Sequence, residues 1–264
     1  MKNTSTVAVL LTILLSAFTP IKKDRQTKDK PEYYQITVYH FNDASQENIL
    51  DSYLEKALIP ALHKNNFENI GVFKPVTNDT AAVKKIYVFI NAKTIEALIS
   101  IDKLINADPV YKNAAKEYLE AAFNKPPFNR YENILLKAFP LAMKMNLPIL
   151  KSAKSEHIYE LRSYESATEG LYKNKVKMFN EGGEVDLFKR LGFNAVFYAD
   201  VLSGCRMPNL MYLTSFENMP ARDEHWKSFG ESPEWKHISK LPEYQNNVSK
   251  ADIILMHAAA YSDF

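Results

Sequence analysis

The densest run of side chains able to do chemistry is Arg222-Asp-Glu-His-Trp226, with Trp235 and His237 just beyond it. On a helix His225 falls three residues after Arg222 and shares its side, while Trp226 covers adjacent apolar surface. An imidazole beside an indole at the mouth of a pocket can shuttle a proton or orient an aromatic ligand. The same residues also suit structure, with Trp226 and Trp235 anchoring a helix to a sheet and Arg222 and His225 in surface pairs. A second group lies in strand-like sequence. Arg162 and Tyr164 share one face of a strand, and Tyr198 and Tyr212 line the same face or the opposite one. Phenols and a guanidinium inside an otherwise apolar barrel suit a planar or anionic ligand. They equally suit an interface between sheets whose polar tips reach water.

Other chemistry has less support. The six histidines are His40, His63, His157, His225, His237 and His257, and no two stand three or four residues apart. A helical metal site is therefore not expected. One pairing across strands is open, because His157 begins a strand whose antiparallel neighbour ends near His257. No nucleophile elbow or dinucleotide fingerprint is present, and seven glycines leave little scope for a phosphate-cradling loop. The single cysteine, Cys205, precludes an intramolecular disulfide and is expected to be buried or idle. A formal net charge of +2 gives no basic surface for nucleic acid. No catalytic residue, metal or cofactor is assigned.

Two similar sets of elements must position these side chains. Tyr34-Gln-Ile-Thr-Val-Tyr39 returns as Tyr159-Glu-Leu-Arg-Ser-Tyr164, about 125 positions on. Val72-Phe73 returns as Val196-Phe197, Tyr87-Val88 as Tyr212-Leu213, and Asp108-Pro-Val-Tyr-Lys112 as Ser232-Pro-Glu-Trp-Lys236. Constant order and spacing predict two copies of one folding unit. Alternation predicts strands over 34–41, 70–76, 85–90 and 133–139, and again over 157–164, 193–201, 210–216 and 252–261. Apolar stripes at helical spacing predict helices over 50–62, 94–106, 113–123, 167–191 and 220–229. Pro60 in one unit and Gly182-Gly183 in the other should kink or break the first helix of each. The order in both halves is β-α-β-β-α-β, the ferredoxin-like motif.

Several strands are apolar at both parities: Asn194–Val201, Leu210–Phe216 and Ile253–Ala260. Both faces of such a sheet must be covered. Helices cover one, and the simplest cover for the other is the second sheet. The expected fold is α+β, with two ferredoxin-like units packed sheet to sheet within one chain and closed into a barrel. The expected division is a signal peptide over 1–20, a spacer over 21–32, a first unit over 33–146, a linker over 147–156 and a second unit over 157–264. Lys2 followed by the apolar run Val7–Phe18 is the pattern of a secretory leader, too short to span a bilayer. Export to a periplasmic or extracellular space is expected, with no membrane span once the leader is removed.

The segments His157–Tyr164, Phe188-Lys-Arg-Leu-Gly-Phe193, Leu210–Phe216, and Asp223-Glu-His-Trp-Lys227 through Ser232-Pro-Glu-Trp235 resemble a NIPSNAP domain. The first unit resembles a more divergent copy, keeping Tyr34, Tyr39 and Pro109-Val-Tyr111 but lacking a counterpart of His225-Trp226. The resemblance implies the dimeric α/β-barrel superfamily and supplies no established catalytic machinery. The expected role is binding, of a small hydrophobic or planar ligand or of a protein partner, rather than catalysis, with a homo-oligomer also open. The wider superfamily suggests an alternative, a cofactor-independent monooxygenase or a haem-binding or haem-degrading enzyme using a pocket between sheet and helices of the second unit.

Overall fold

The structure, a computed structural model, describes residues 30–264. The apolar run expected to be a leader lies outside the described residues. The first half comprises β1 (Tyr33–Phe41), α1 (Ala44–Tyr53), α2 (Ile59–Lys64), β2 (Gly71–Pro75), β3 (Lys84–Ala92), α3 (Ile95–Ile99), α4 (Ile101–Asn106), α5 (Pro109–Ala114), α6 (Lys116–Leu119) and β4 (Arg130–Ala138). The second comprises β5 (Ile158–Glu165), α7 (Glu169–Asn180), α8 (Glu184–Arg190), β6 (Asn194–Ser203), β7 (Asn209–Phe216), α9 (Met219–Glu231), α10 (Pro233–Ile238) and β8 (Lys250–Ala258). Side-chain caps start the helices at matching places: Asp43 and Thr168 on α1 and α7, Thr94 and Asn218 on α3 and α9, Asp108 and Ser232 on α5 and α10. Each accepts a backbone N–H that the first helical turn cannot otherwise satisfy.

The eight strands form one closed antiparallel barrel in the order β1-β3-β2-β8-β5-β7-β6-β4. Each half contributes a four-stranded ferredoxin-like sheet, and the halves join along two seams, β2 with β8 and β4 with β6. Closure leaves no free sheet edge among the described residues. The doubly apolar strands are explained at once. Tyr34, Ile36, Val38, Phe73, Phe89, Leu136, Tyr159, Leu161, Phe197 and Leu213 are buried together in the lumen. Separate apolar layers lie between each sheet and its own helices. Each fully buried side chain of this size contributes roughly 1.5–3 kcal/mol, so lumen packing is the main bond between the halves.

The first helices differ in how they bend. In the first half the chain passes through a five-residue π turn, Leu54–Leu58, directly into α2, so the helix continues into Pro60, and the Ile59 N–H reaches back five residues to the Leu54 carbonyl. In the second half Gly183 adopts φ 87°, and a Cβ on Gly182 would lie 2.5 Å from the Met178 carbonyl oxygen, so this helix breaks outright. The helix expected over 94–106 is interrupted at Ser100. Strand register also corrects one landmark. Thr37 pairs with Val88 and Arg162 with Tyr212, so Val88, not Tyr87, occupies the place of Tyr212. Tyr87 faces the lumen and Tyr212 faces the helices.

Candidate functional site

On β5 alternate residues point to opposite faces. Tyr159 and Leu161 enter the lumen, while Glu160, Arg162 and Tyr164 point toward α9 and α7. The guanidinium and phenols lie neither inside the barrel nor between the two sheets, the two places the sequence left open, but in the layer between one sheet and its helices. Glu160 is the hub and is fully buried. Its carboxylate accepts from Arg162 Nε at 2.5 Å, Arg222 Nε at 2.6 Å, Arg222 Nη2 at 3.2 Å and Trp226 Nε1 at 2.9 Å. The Arg162 guanidinium stacks 3.6 Å from the Trp226 ring and donates to the Tyr164 hydroxyl, which shares a 2.9 Å hydrogen bond with Tyr212. Beside them Lys175 and Glu184 form a buried 2.8 Å ion pair.

These groups satisfy one another. Burial raises the Tyr212 pKa well above the ordinary phenol value, and it raises that of Tyr198 likewise. For Arg162, burial works against the charge, but Tyr212, Tyr164 and Glu160 outweigh it and raise the pKa. The cluster is thus a closed clasp in which burial keeps the Tyr212 phenol protonated and the cations are paired, a buried network whose members satisfy one another. Tyr198 makes no hydrogen bond to the clasp but stacks on Tyr212 at 5.6 Å and packs against Phe139, Phe179 and Phe188.

Arg222 and Trp226 turn inward to Glu160, but His225 does not join them. Its Nδ1 meets the Ala221 carbonyl at 2.7 Å, and its ring abuts Phe193 and Phe216. The expected same-side pairing of Arg222 and His225 is not realised. The His157 and His257 rings do not meet either. His257 Nδ1 approaches the His157 backbone carbonyl at 2.9 Å, and His157 Nε2 that of Ser152 at 3.0 Å. Among the described residues no cluster of three or more His, Cys, Asp or Glu could hold a metal ion. Cys205 is exposed, not buried, and donates to Glu132.

The equivalent layer of the first half is built differently. With the helix caps and strand pairs aligned, Gln35 stands where Glu160 does, Thr37 for Arg162, Tyr39 for Tyr164, Val88 for Tyr212, Leu98 for Arg222 and Asp102 for Trp226. Two guanidiniums, an indole and a phenol are replaced by shorter side chains. The space they would fill is a cavity of about 540 Å³ bordered by Gln35, Thr37, Val88, Leu98 and Asp102. Of the four cavities described, none is lined by Arg162, Tyr164, Tyr212, Arg222, His225 or Trp226.

The first-half cavity carries its own polar and aromatic fittings. Tyr53 and Tyr118 stack at 3.7 Å with their planes 6° apart, and Tyr39, Tyr111 and Tyr131 complete an aromatic wall. Tyr53 and Tyr111 share a 3.1 Å hydrogen bond. Gln35 donates to Thr37, and Thr37 to Asn133 at 2.7 Å, a polar strip along the sheet. Burial pushes the Tyr39 phenol up to about 12 and raises Tyr53, Tyr111 and Tyr118 as well. Leu58, in the π turn, also borders the cavity, consistent with the tendency of π turns to lie at binding sites.

Residues 159–263 match the NIPSNAP family model. A search of curated proteins returns no significant match. Among solved structures, a candidate monooxygenase from Lactobacillus acidophilus NCFM superposes with a TM-score of 0.54 at 10% identity, over 87% of this chain and 94% of that one. A candidate monooxygenase from Fusobacterium nucleatum gives 0.54 at 8% identity over 87% and 93%. An anthrone oxidase-like protein gives 0.50 at 9% identity over 88% and 93%. At these identities the likeness establishes a shared fold, the dimeric α/β barrel, and nothing of activity.

Proposed function

We propose that this chain, NIPSNAP-like over residues 159–263, is a small-molecule-binding protein whose ligand occupies the tyrosine-lined cavity of its first half. The observation that carries the reading is the contrast between halves. One place in the fold is filled by Arg162, Arg222 and Trp226 in the second half and left open in the first. A volume of about 540 Å³ lies within the range of ligand pockets, about 300–1,000 Å³. Among the described residues Asp102 is the only charged side chain lining it, so a neutral planar molecule is favoured over an anion. Stacking on the aromatic wall and hydrogen bonds to protonated phenols and the Gln35–Thr37–Asn133 strip would hold it.

The reading assigns no catalysis and no haem. Among the described residues no His, Cys or Met lines this cavity, and Tyr39, Tyr53, Tyr111 and Tyr118, held protonated by burial, are poor anionic axial ligands. Export belongs to the same reading and rests on the Lys2 and Val7–Phe18 pattern; amino-terminal sequencing of protein recovered outside the cytoplasm tests it.

The cavity is tested by isothermal titration with 2-naphthol, a neutral planar phenol. The native chain is expected to bind one equivalent. Asp102→Trp, which restores the second half's residue at an exposed position, should weaken binding at least tenfold with little change in thermal stability. Equal binding by both proteins, or none by the native chain, would refute the assignment.

A further inference from the structure

The barrel lumen is closed at one end and open at the other. At the closed end Phe264 packs against Phe73, Phe89 and Tyr159, with ring centroids 5.3–6.1 Å apart. At the open end lies a cavity of about 450 Å³ to which both halves contribute, so it exists only because the two sheets close. Its floor is apolar, with Val38, Ile134, Leu161, Met211 and Ile254. Its rim is polar, with the charged groups Lys85, Glu132, Arg206 and Asp252, and His40 and Cys205 stand beside them.

The rim charges are not equivalent. His40 Nε2 meets Glu132 Oε1 at 2.9 Å, and Cys205 donates to Glu132 Oε2 at 2.8 Å. Arg206, held at a left-handed φ of 65°, pairs with Asp252 and reaches Glu165 at 3.5 Å. Lys85 lines the cavity, yet among the described residues its ammonium makes no ion pair or hydrogen bond, acting on Glu132 only through space. An apolar pocket with one unpaired cation at its mouth suits a chain-like monoanion. The neighbouring Glu132 and Asp252 carboxylates would repel a dianion such as a phosphate monoester.

We infer that the open end of the barrel is a second ligand site, taking an amphiphile with an apolar body in the lumen and a carboxylate head at Lys85. The site is separate from the tyrosine-lined cavity and stands whether or not that one is occupied.

The full chain is titrated calorimetrically with decanoate below its micelle concentration, and Cys205 alkylation by iodoacetamide is timed with and without it. Saturable binding of one decanoate per chain is expected, at least tenfold weaker in Lys85→Gln and unchanged in Asp102→Trp. Bound decanoate should slow alkylation at least threefold. Absence of saturable binding, equal affinity in Lys85→Gln, or an unaltered alkylation rate would overturn the inference. Loss of binding in Asp102→Trp would also overturn it, by moving decanoate to the other cavity.

Discussion

The second half's clasp makes a demanding prediction about Glu160. Its carboxylate has no solvent exposure and neutralises Arg162 and Arg222 together. Glu160→Gln keeps the shape and removes the charge, leaving two largely buried guanidiniums without their shared partner. Breaking a buried ion pair from one side costs about 3–5 kcal/mol, against a usual domain stability of about 5–15 kcal/mol. With a urea slope of about 2–3 kcal/mol/M, the unfolding midpoint should fall by roughly 1–2.5 M. Adding Arg222→Leu removes one of the stranded cations, so the double variant should be more stable than the sum of the single losses by about 1–3 kcal/mol. Both tryptophans, Trp226 and Trp235, lie in the second half, so their fluorescence follows its unfolding. Additivity within about 0.5 kcal/mol, or a midpoint unmoved by Glu160→Gln, would refute the view that these charges stabilise one another.

Other outcomes follow from the packing. Burial pushes Tyr39, Tyr87 and Tyr159 up to about 12 from an ordinary 10.0, so the folded chain holds protons that the unfolded chain releases. The stability they contribute is whole below pH 10 and is lost as pH climbs toward 12. Ultraviolet titration should show the phenolate absorbance of the buried tyrosines arriving together with unfolding, whereas full phenolate absorbance near pH 10 in a folded chain would contradict it. Phe264→Ala should destabilise the barrel by about 3–5 kcal/mol, read as a lowered thermal midpoint, and an unchanged midpoint would deny that this ring plugs the lumen.

The architecture was legible in the sequence because it rests on periodicity. Tyr34 and Tyr159 each open a strand of alternating residues, and the apolar runs at 194–201 and 210–216 demanded a cover on both sides. The site was less legible because parity does not say which face is the lumen when both are apolar. Arg162 and Tyr164 group as expected, but neither inside the barrel nor between the two sheets. Glu160, their shared partner, passed unnoticed, although a carboxylate two residues before an arginine in an otherwise apolar strand is itself a sign of a buried ion pair. The Arg222–Trp226 run drew attention to the half in which the space is filled. The informative signal was the missing counterpart of Trp226 in the first half, where Asp102 stands. The one-residue slip between Tyr87 and Val88 arose because the strand and loop lengths of the two halves differ slightly, which only pairing could reveal.

The most direct trial is a crystal structure of the chain grown with 6-bromo-2-naphthol, the bromine located by anomalous scattering. The ring should lie in the first-half cavity against Tyr53 and Tyr118, with its hydroxyl toward Thr37 or Asn133. Bromine in the second half's layer, at the barrel mouth, or nowhere would contradict the account.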